Sequence, residues 1–286
     1  MMYQGIIISG TDMTECYEIA KNLELSQSYK IVRVVSNSKK KECYHYIEGD
    51  KLARIDKECF LIKIEFDGEI IAIFMQEFNE VIEKKMVPLI IIDKKVVNVI
   101  EEFSKATLDL MSFYIYNETK ENEGKSARDI KILSSERNRL INKFNYGLNN
   151  KSSLDVVALI DKLWYLRERG GGLSRNYIEG LIKCDLLIKD GKLSNVSNSS
   201  YDLTLGDEYY YAGEINELSD KKPFLALEPY DYAIASCNEK ISMPRDVSGR
   251  FDVSVNLFCQ GIILSNSTQV DPGFRGKLFC LLFNTS

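Results

Sequence analysis

The first strand-like run of the chain leads into residues that invite comparison with a phosphate-binding loop. A P-loop has the pattern GxxxxGK[ST]: backbone N–H groups wrap the phosphates, the lysine reaches the outer phosphates and the hydroxyl holds Mg²⁺. Residues 10–17 read GTDMTECY, so Glu15, Cys16 and Tyr17 occupy the Gly, Lys and Ser/Thr positions. A carboxylate at this place repels phosphate, and the cation is missing. The sequence therefore predicts that this loop does not bind the phosphates of ATP.

A second segment whose residue types could take part in chemistry lies near the end of the sequence, where residues 270–276 read VDPGFRG. Proline and glycine fix a β-turn at this point, and the turn presents the carboxylate of Asp271. Two interpretations stay open on these residues alone. Asp271 is an ordinary turn carboxylate, or it belongs to a ligand site.

Composition limits the classes of function. The chain has 286 residues, of which 45% are hydrophobic and 28% are charged, and its formal net charge is −5. This balance is typical of a soluble globular protein with one large domain or two ordinary ones. Because the chain has no global positive field, a nucleic-acid partner is not expected. A free nucleotide, in contrast, needs only local positive charge or backbone donors.

The cysteines and the single histidine argue against a metal centre. His45 is the only histidine, and none of the seven cysteines forms a CxxC pair. We therefore expect no zinc site, and reduced thiols as in a cytoplasmic protein. The sequence shows neither a signal-peptide pattern nor an apolar run long enough to span a membrane, so a membrane partner is not expected.

In the first half of the chain, apolar strand-like runs alternate with amphipathic helical segments. This alternation predicts an α/β domain with a largely parallel sheet. Strands are predicted at 5–9, 31–35, 59–66, 70–74, 88–93 and 111–116. Helices are predicted at 12–25, 78–85, from Asp93 through Lys105, 127–143 and 153–167.

Three successive glycines, at 170–172, break this pattern. They end the preceding helix and form a flexible joint. A short helix is predicted at 175–182, and after it short strands alternate with polar turns, which predicts an all-β domain. We place the boundary near Gly171 and predict two domains, 1–169 and 170–286.

The order of elements in the first domain resembles guanylate kinase, which implies a P-loop-kinase-like α/β fold. Four segments carry the resemblance: 44–47 (YHYI), 65–68 (EFDG), 88–93 (PLIIID) and 144–150 (FNYGLNN). They are similar to that family's Tyr-His-Phe-Val segment, its base-handling Glu-Tyr-x-Gly stretch, its strand ending in Asp and its late Tyr-Asp-x-x-x-x-Asn segment.

The departures from that family bear on activity. Residues 70–72 (IIA) stand where the family has Tyr-Tyr-Gly, and the arginine-bearing loop is shortened to 36–41, whose lysines we interpret as a solvated basic turn. The resemblance leaves Glu65 and Asp93 as a residual guanine site, and the alternative is that they are plain surface or strand-end carboxylates. We predict a scaffold or ligand sensor in place of a working kinase.

From Leu173 onward, the second domain resembles the dUTPase/dCTP deaminase family, which implies an all-β fold of the β-clip or jelly-roll kind. The matching segments follow the family's order and cover almost all of the domain. They are 173–178 (LSRNYI), 200–206 (SYDLTLG), 227–232 (LEPYDY), 239–244 (EKISMP) and 270–276 (VDPGFRG).

This resemblance implies a nucleotide site around the turn. In dUTPases the Asp at the place of Asp271 orients the water that attacks the α-phosphate, a general-base role. The aromatic ring at the place of Phe274 stacks on the deoxyribose and excludes a 2′-hydroxyl. The other candidates for nucleotide contacts are Asp202, Asn256, Gly261, Val270 and Arg275.

Two parts of the family's site are missing. Residues 254–259 (SVNLFC) stand where the family has Arg-Ser-Ser-Leu-Ala-Arg, so the arginines and serines that bind the triphosphate are lost, and Asn256 retains one hydrogen bond at most. Leu281 stands where deaminases place the glutamate that shuttles protons, so dCTP deaminase activity is not expected. A leucine or valine there is what dUTPases carry.

Assembly is also implied by the resemblance, since the family forms trimers with sites between subunits. The sequence ends at Ser286, whereas family members continue with a further strand, so we expect an unpaired sheet edge that a partner strand or a neighbouring subunit covers.

Three hypotheses follow. The favoured one is a deoxynucleotide-binding or sensing pseudoenzyme related to nucleotide metabolism, because the phosphate-handling groups are lost in both halves. The second is an active dUTP pyrophosphatase that uses Asp271 with Mg²⁺, the one case in which a cofactor is expected. The third is a trimeric interaction scaffold.

Overall fold

The computed structural model describes residues 3–39, 44–66, 68–94, 108–167, 170–220, 223–265 and 269–286. The chain divides into two compact units, 1–171 and 172–286. The helix predicted from Asp93 through Lys105 lies almost wholly outside the described residues, as do Lys40, Lys41 and Asp67 of the predicted motifs. Within the described ranges, no helix has the length and apolar character needed to cross a membrane.

The first unit alternates strands and helices. Its strands are β1 (Gly5–Gly10), β2 (Tyr29–Val32), β3 (Val34–Ser36), β4 (His45–Tyr46), β5 (Phe60–Phe66), β6 (Glu69–Phe74), β7 (Val87–Ile91), β8 (Leu110–Tyr116) and β9 (Tyr146–Asn149). Its helices are α1 (Met13–Glu24), α2 (Gly49–Arg54), α3 (Met75–Glu83), α4 (Glu118–Asn122), α5 (Ala127–Ile141) and α6 (Ser153–Leu166).

A parallel sheet forms the centre of this unit, as the sequence predicts. Its strand order is β2-β7-β1-β8-β9, and every neighbouring pair is parallel. Strands β1 and β8 are buried along their whole length, which matches their continuous apolar sequences because helices cover both faces of such a sheet. Helix α1 contacts α6, and α3 contacts β7.

A second, four-stranded sheet corrects one prediction. It has the order β4-β3-β6-β5, with β6 antiparallel to both β3 and β5. The single strand predicted at 31–35 is two strands, β2 and β3, which belong to different sheets. The break falls at Arg33, whose backbone N–H and guanidinium both donate to the carboxylate of Glu77 on α3, at 3.0 and 3.1 Å.

The second unit is rich in short strands. Its elements are α7 (Arg175–Lys183), β10 (Leu187–Lys189), β11 (Leu205–Tyr211), β12 (Glu214–Glu217), β13 (Tyr232–Cys237), β14 (Lys240–Ser242), β15 (Gly249–Arg250), α8 (Val255–Cys259), β16 (Ile262–Leu264), β17 (Gln269–Val270), β18 (Arg275–Gly276) and β19 (Phe279–Asn284). They form an antiparallel sheet of order β12-β11-β13-β19-β16, a sheet β10-β14-β18 and a pair β15-β17. The short helix α7 is present as predicted, whereas α8 is not foreseen.

The core of the second unit connects α7 with the smaller sheets. Ile178 and Ile182 of α7 pack with Ile188 of β10, Ile241 of β14 and Val270 of β17. The last of these is the residue directly before the Asp-Pro-Gly turn. The packing of α7 therefore fixes the strand that positions the candidate site.

Candidate functional site

The Asp-Pro-Gly turn is a hydrogen-bonded β-turn anchored at both ends. The N–H of Phe274 donates to the carbonyl oxygen of Asp271 at 3.1 Å, which closes the turn. Gly273 has a φ of +77°, a conformation that favours glycine. Its N–H donates to the carbonyl of Pro244 at 3.1 Å, and the N–H of Met243 donates to the carbonyl of Phe274 at 2.9 Å. The segment before β15 thus holds the turn rigidly.

Asp271 lies exposed at the head of this turn. The side-chain amide of Gln269 donates to its Oδ1 at 2.8 Å, so one carboxylate oxygen is oriented from β17. Val270, between them, is buried and pairs with Gly249 of β15. This arrangement presents a fixed carboxylate to solvent, which is the geometry that a ligand contact or a general base requires.

The residues that follow the turn have different surroundings. Phe274 is half-buried and packs against the core cluster that includes Val270. Arg275 is exposed on β18, opposite Ser242 of β14. Hence four of the predicted site residues, 270, 271, 274 and 275, belong to one short structural feature.

The first motif, 200–206, lies on a separate loop that is tied to the rest of the unit. Asp202 is exposed, and its N–H donates to the carbonyl of Asn195 at 2.9 Å. Thr204 donates from its N–H and its hydroxyl to the carboxylate of Glu239. At Gly206 a Cβ atom would lie 2.5 Å from the hydroxyl of Ser236, so glycine is needed for β11 to approach β13. This motif therefore has a clear structural role.

The segment at the place of the triphosphate-binding motif forms α8. Ser254 caps the helix, since its hydroxyl accepts from the N–H of Leu257 at 3.4 Å. Gly261 follows the helix with a φ of +83°, and its carbonyl accepts from the N–H and the hydroxyl of Thr285, both at 2.8 Å. Asn256 is exposed on α8, beside the exposed apolar side chains of Val255, Leu257 and Phe258. The helix carries no charged side chain.

Leu281, at the place of the deaminase glutamate, is half-buried on β19 and pairs with Ile234 of β13. Burial raises the pKa of the neighbouring thiol, Cys280, and also that of Cys237. Because both thiols are held in the protonated form, neither offers a thiolate near neutral pH. The position at which the resemblance expects the proton-shuttling glutamate therefore holds an apolar side chain, Leu281, with no ionisable group.

In the first unit, the connection from β1 to α1 differs from a phosphate-binding loop in length. Strand β1 ends at Gly10 and α1 begins at Met13, which leaves two residues between them. The carboxylate of Asp12 accepts the N–H groups of Thr14 and Glu15, at 2.8 and 3.4 Å. These are helix N-terminal donors of the kind that would bind an anion. The chain therefore satisfies them itself.

Glu15 occupies the space at the carboxyl ends of the central strands. Its side chain is only 11% exposed. It accepts from the ammonium of Lys120 on α4, and from the side-chain amide of the buried Asn150 at 3.1 Å. The hydrogen bond to Glu15 raises the pKa of Lys120. The ammonium of Lys120 is therefore paired with a carboxylate of the protein itself at this position.

The two residues of the predicted guanine site belong to different parts of the first unit, one on the four-stranded sheet and one in the segment after a strand of the parallel sheet. Glu65 is exposed on β5 and pairs with Ile70 of β6. Asp93 follows β7, and its N–H donates to the hydroxyl of Tyr44 at 2.6 Å. The contact joins two of the segments that resemble guanylate kinase.

Sequence reasoning missed several residues that shape these sites. Glu239 holds the first motif through a contact that joins residues 35 positions apart, which no local pattern shows. Gln269 orients Asp271 from only two residues away, but its residue type alone gives no signal of that role. The cap at Asp12 could have been found, because an Asp followed three residues later by Glu is a helix N-terminal signature.

Comparison with known proteins finds a family match in the second unit. The model of the family described as dCTP deaminase-like matches residues 173–286. The dCTP deaminase of Pyrococcus abyssi is 30% identical over 105 residues, which are 37% of this chain and 67% of that protein. That of Thermococcus kodakarensis is 32% identical over 105 residues and 66% of its length. A dUMP-forming dCTP deaminase of Nanoarchaeum equitans is 26% identical over 160 residues, 72% of its length.

Solved structures give two further likenesses. A guanylate kinase from Anaplasma phagocytophilum aligns with 59% of this chain and 88% of its own, at 14% identity and a TM-score of 0.42. A 2′-deoxycytidine 5′-triphosphate deaminase from Agrobacterium tumefaciens aligns with 39% of this chain and 41% of its own, at 19% identity and a TM-score of 0.35.

Proposed function

Because the chain belongs to the dCTP deaminase-like family through residues 173–286, we propose that its second unit binds a deoxynucleotide at the turn around Asp271 without deaminating it. The main support is that one acidic residue of the family's site is present and the other is replaced. Asp271 is exposed and oriented by Gln269, whereas the position of the proton-shuttling glutamate holds Leu281. The protein would thus sense or bind a nucleotide as a pseudoenzyme.

The composition of α8 bears on which nucleotide would bind. Family members place two arginines and two serines in this segment, and charge-assisted hydrogen bonds to phosphate are strong. Here the helix is uncharged, and Asn256 is its one polar side chain between Val255 and Cys259. We therefore expect a deoxynucleoside monophosphate to bind about as well as the triphosphate. Phe274, Val270, Asp202, Gly261 and Arg275 stay the proposed neighbours of the ligand.

In the first unit we propose a scaffold or ligand sensor of P-loop-kinase-like type. Phosphate binding is opposed by the two-residue connection between β1 and α1, by the cap at Asp12 and by the carboxylate of Glu15. A residual guanine site at Glu65 and Asp93 stays a prediction. Binding of GMP that is lost in Asp93→Ala would support it.

A thermal-shift screen tests the main proposal. Ligand bound to the native state stabilises it by about 2.7 kcal/mol at 100 times the dissociation constant, which raises the melting temperature by several degrees, on the order of 5 °C. We expect dUMP, dCMP, dUTP or dCTP to give such a shift, and Asp271→Ala to abolish it. Asp207→Ala, which removes another exposed carboxylate of the same unit, is the matched control. No shift with any nucleotide would refute the proposal and favour the interaction scaffold.

An active dUTP pyrophosphatase is the second candidate, and the fixed carboxylate of Asp271 favours it. Within the described residues, no three His, Cys, Asp or Glu side chains form a metal-binding group. Mg²⁺ often binds through one carboxylate together with substrate phosphates, so Asp271 fits such a role when a nucleotide is bound. Incubation with dUTP, dCTP and Mg²⁺, followed by measurement of pyrophosphate and ammonia, separates the candidates. Strong dUTP turnover that disappears in Asp271→Ala would replace the pseudoenzyme proposal.

We also propose that the chain self-associates. Its resemblance to dUTPases and dCTP deaminases implies a β-clip fold for the second unit and a homotrimer with sites between subunits. The last strand, β19, is paired on both sides, so an unpaired edge at the C-terminal strand is not found; a neighbouring subunit or partner strand would cover an edge at β12 or β16. A monomer in light scattering would contradict this part of the proposal.

A further inference from the structure

The strand pair β15-β17, which leads directly into the Asp-Pro-Gly turn, has one buried and one exposed face. On the buried face, Gly249 pairs with Val270, which is only 5% exposed. On the other face, Arg250 pairs with Gln269, and both residues are exposed. Residues paired in register project their side chains to the same face of a sheet. The side chains of Arg250 and Gln269 therefore lie next to each other on the exposed face.

The carboxylate of Asp271 belongs to the same face. The side-chain amide of Gln269 donates to its Oδ1 at 2.8 Å, so a direct contact places the carboxylate on the side of β17 that carries Gln269. We call Arg250, Gln269 and Asp271 the polar row. Its two charges have opposite signs, and the neutral amide of Gln269 lies between them. An anionic group beside Arg250 is thereby kept apart from the carboxylate.

The guanidinium of Arg250 forms no ion pair with any carboxylate in the part of the chain that the structure describes. The acid closest to it in the sequence, Asp252, accepts the N–H of Val253 at 2.8 Å instead. An arginine carries five N–H donors in a planar fork that matches the oxygens of a phosphate. Arg250 therefore presents a cation to solvent next to the proposed ligand contact.

The other cations near the turn are placed differently. The Cγ atom of Arg245 lies 3.7 Å from the position that a Cβ atom would take at Gly273, so the stem of this arginine packs on the turn itself. Arg275 lies on β18 opposite Ser242, in another sheet. Helix α8 carries no charged side chain at all. Arg250 is thus the cation that shares an exposed strand face with the carboxylate of the turn.

We propose that Arg250 binds the 5′-phosphate of the deoxynucleotide whose sugar contacts Asp271. Residues two apart on a strand are separated by about 7 Å, so the phosphate would extend from the sugar along the polar row, past Gln269, to the guanidinium. One arginine can hold one phosphate through two parallel hydrogen bonds. The site should therefore prefer a deoxynucleoside monophosphate to the deoxynucleoside, and a second or third phosphate should add little.

The inference rests on the nucleotide binding in the proposed function, and calorimetric titration of the full chain tests the two separately. The ligands are deoxyuridine, dUMP, deoxycytidine and dCMP. The natural chain should bind at least one monophosphate about tenfold or more tightly than its nucleoside, because the phosphate adds charge-assisted hydrogen bonds. Arg250→Gln should remove this preference and leave the affinity for the nucleoside unchanged. Arg250→Lys should retain part of it, since lysine supplies the charge without the planar fork.

Arg175→Gln is the matched control. It removes the same charge from the same unit, but the guanidinium of Arg175 pairs with Glu179 on α7 at 2.7 Å. All four affinities should stay unchanged in this variant. Circular dichroism checks the folding of each variant, and an unchanged affinity of Arg250→Gln for the nucleoside shows that the site itself is intact.

The possible outcomes separate this inference from the proposed function. If the natural chain binds none of the four ligands, both are overturned. If it binds nucleoside and monophosphate equally, or if the preference for the monophosphate survives in Arg250→Gln, this inference alone is overturned. Inorganic phosphate is titrated as well and should bind at least about tenfold more weakly than the preferred monophosphate. Equal affinities for the two would reveal a general anion site and would also contradict the proposed role of Arg250.

Discussion

Replacing Glu15 tests the claim that the first unit fills its own phosphate position. In Glu15→Ala, the buried amide of Asn150 loses a carboxylate acceptor at 3.1 Å. A hydrogen bond to a charged group contributes about 1.5–3 kcal/mol. Lys120 is 66% exposed, so solvent screens its ion pair with Glu15 and the pair contributes little to stability. We therefore expect the free energy of unfolding of this unit to fall by about 2 kcal/mol.

The assay can be made specific to the first unit. Trp164 is the one tryptophan of the chain and lies buried on α6, so its fluorescence in a urea titration reports on this unit. Glu18→Ala is the matched control, because Glu18 is exposed on the same helix. The midpoint should shift for Glu15→Ala and stay in place for Glu18→Ala, with unchanged slopes. Equal midpoints for the two variants would refute the reasoning.

The same variant addresses function. Removing the charge of Glu15 takes away the repulsion of phosphate, yet Asp12 still occupies the helix N-terminal donors and the connection from β1 stays two residues long. Isothermal titration with Mg-ATP and Mg-GTP should therefore show no gain of binding. Micromolar binding of either nucleotide by Glu15→Ala would mean that the carboxylate of Glu15 alone prevents this loop from binding phosphate.

Three other perturbations test particular parts of the fold. The buried guanidinium of Arg137 pairs with two glutamates of α4, and Arg137→Met leaves them without a cation. Urea titration should show that the free energy of unfolding falls by about 3 kcal/mol. Arg139 is exposed on the same helix, so Arg139→Met should lower that free energy by about 0.5 kcal/mol or less. Burial raises the pKa of Glu24, but hydrogen bonds from two lysines and a backbone N–H outweigh it, and the net pKa is lowered. The stability that Glu24 contributes is thus present at neutral pH and lost as the pH falls below about 4.3, and Glu24→Gln should flatten this acid limb. Gly273→Ala, at a φ of +77°, should lower the melting temperature through a cost of about 1 kcal/mol, whereas Gly170→Ala should be neutral.

The parallel sheet could be predicted because its strands are buried on both faces. A strand such as β1, with the sequence GIIISG, has a continuous apolar run that an exposed strand would lack. The break between β2 and β3 could not be predicted, since the contact that marks it joins Arg33 to Glu77, 44 residues away. Short elements such as α4 and β4 could not be predicted either, because they span too few residues to show a hydrophobic periodicity.

The turn at Asp271 shows the same limit at the scale of a site. Proline and glycine predict the turn, and the structure contains it. The orientation of the carboxylate depends on Gln269, and the anchoring depends on Met243 and Pro244 from another strand connection. Local sequence thus predicts the shape of the turn, whereas the tertiary backbone contacts that anchor it in the domain cannot be predicted from that sequence.

Under the proposed function, the two units lack phosphate-binding groups for physically different reasons, and this difference supports a ligand-binding role for the second unit. In the first unit, Glu15 and Asp12 satisfy the donors that a phosphate would need, so the site is filled by the chain itself. In the second unit, α8 offers no charge, yet Asp271 is exposed and accepts a hydrogen bond from Gln269. We therefore expect the second unit to bind a nucleotide. In the first unit, we expect Glu15 and Asp12 to contribute to the stability of the fold and not to ligand binding.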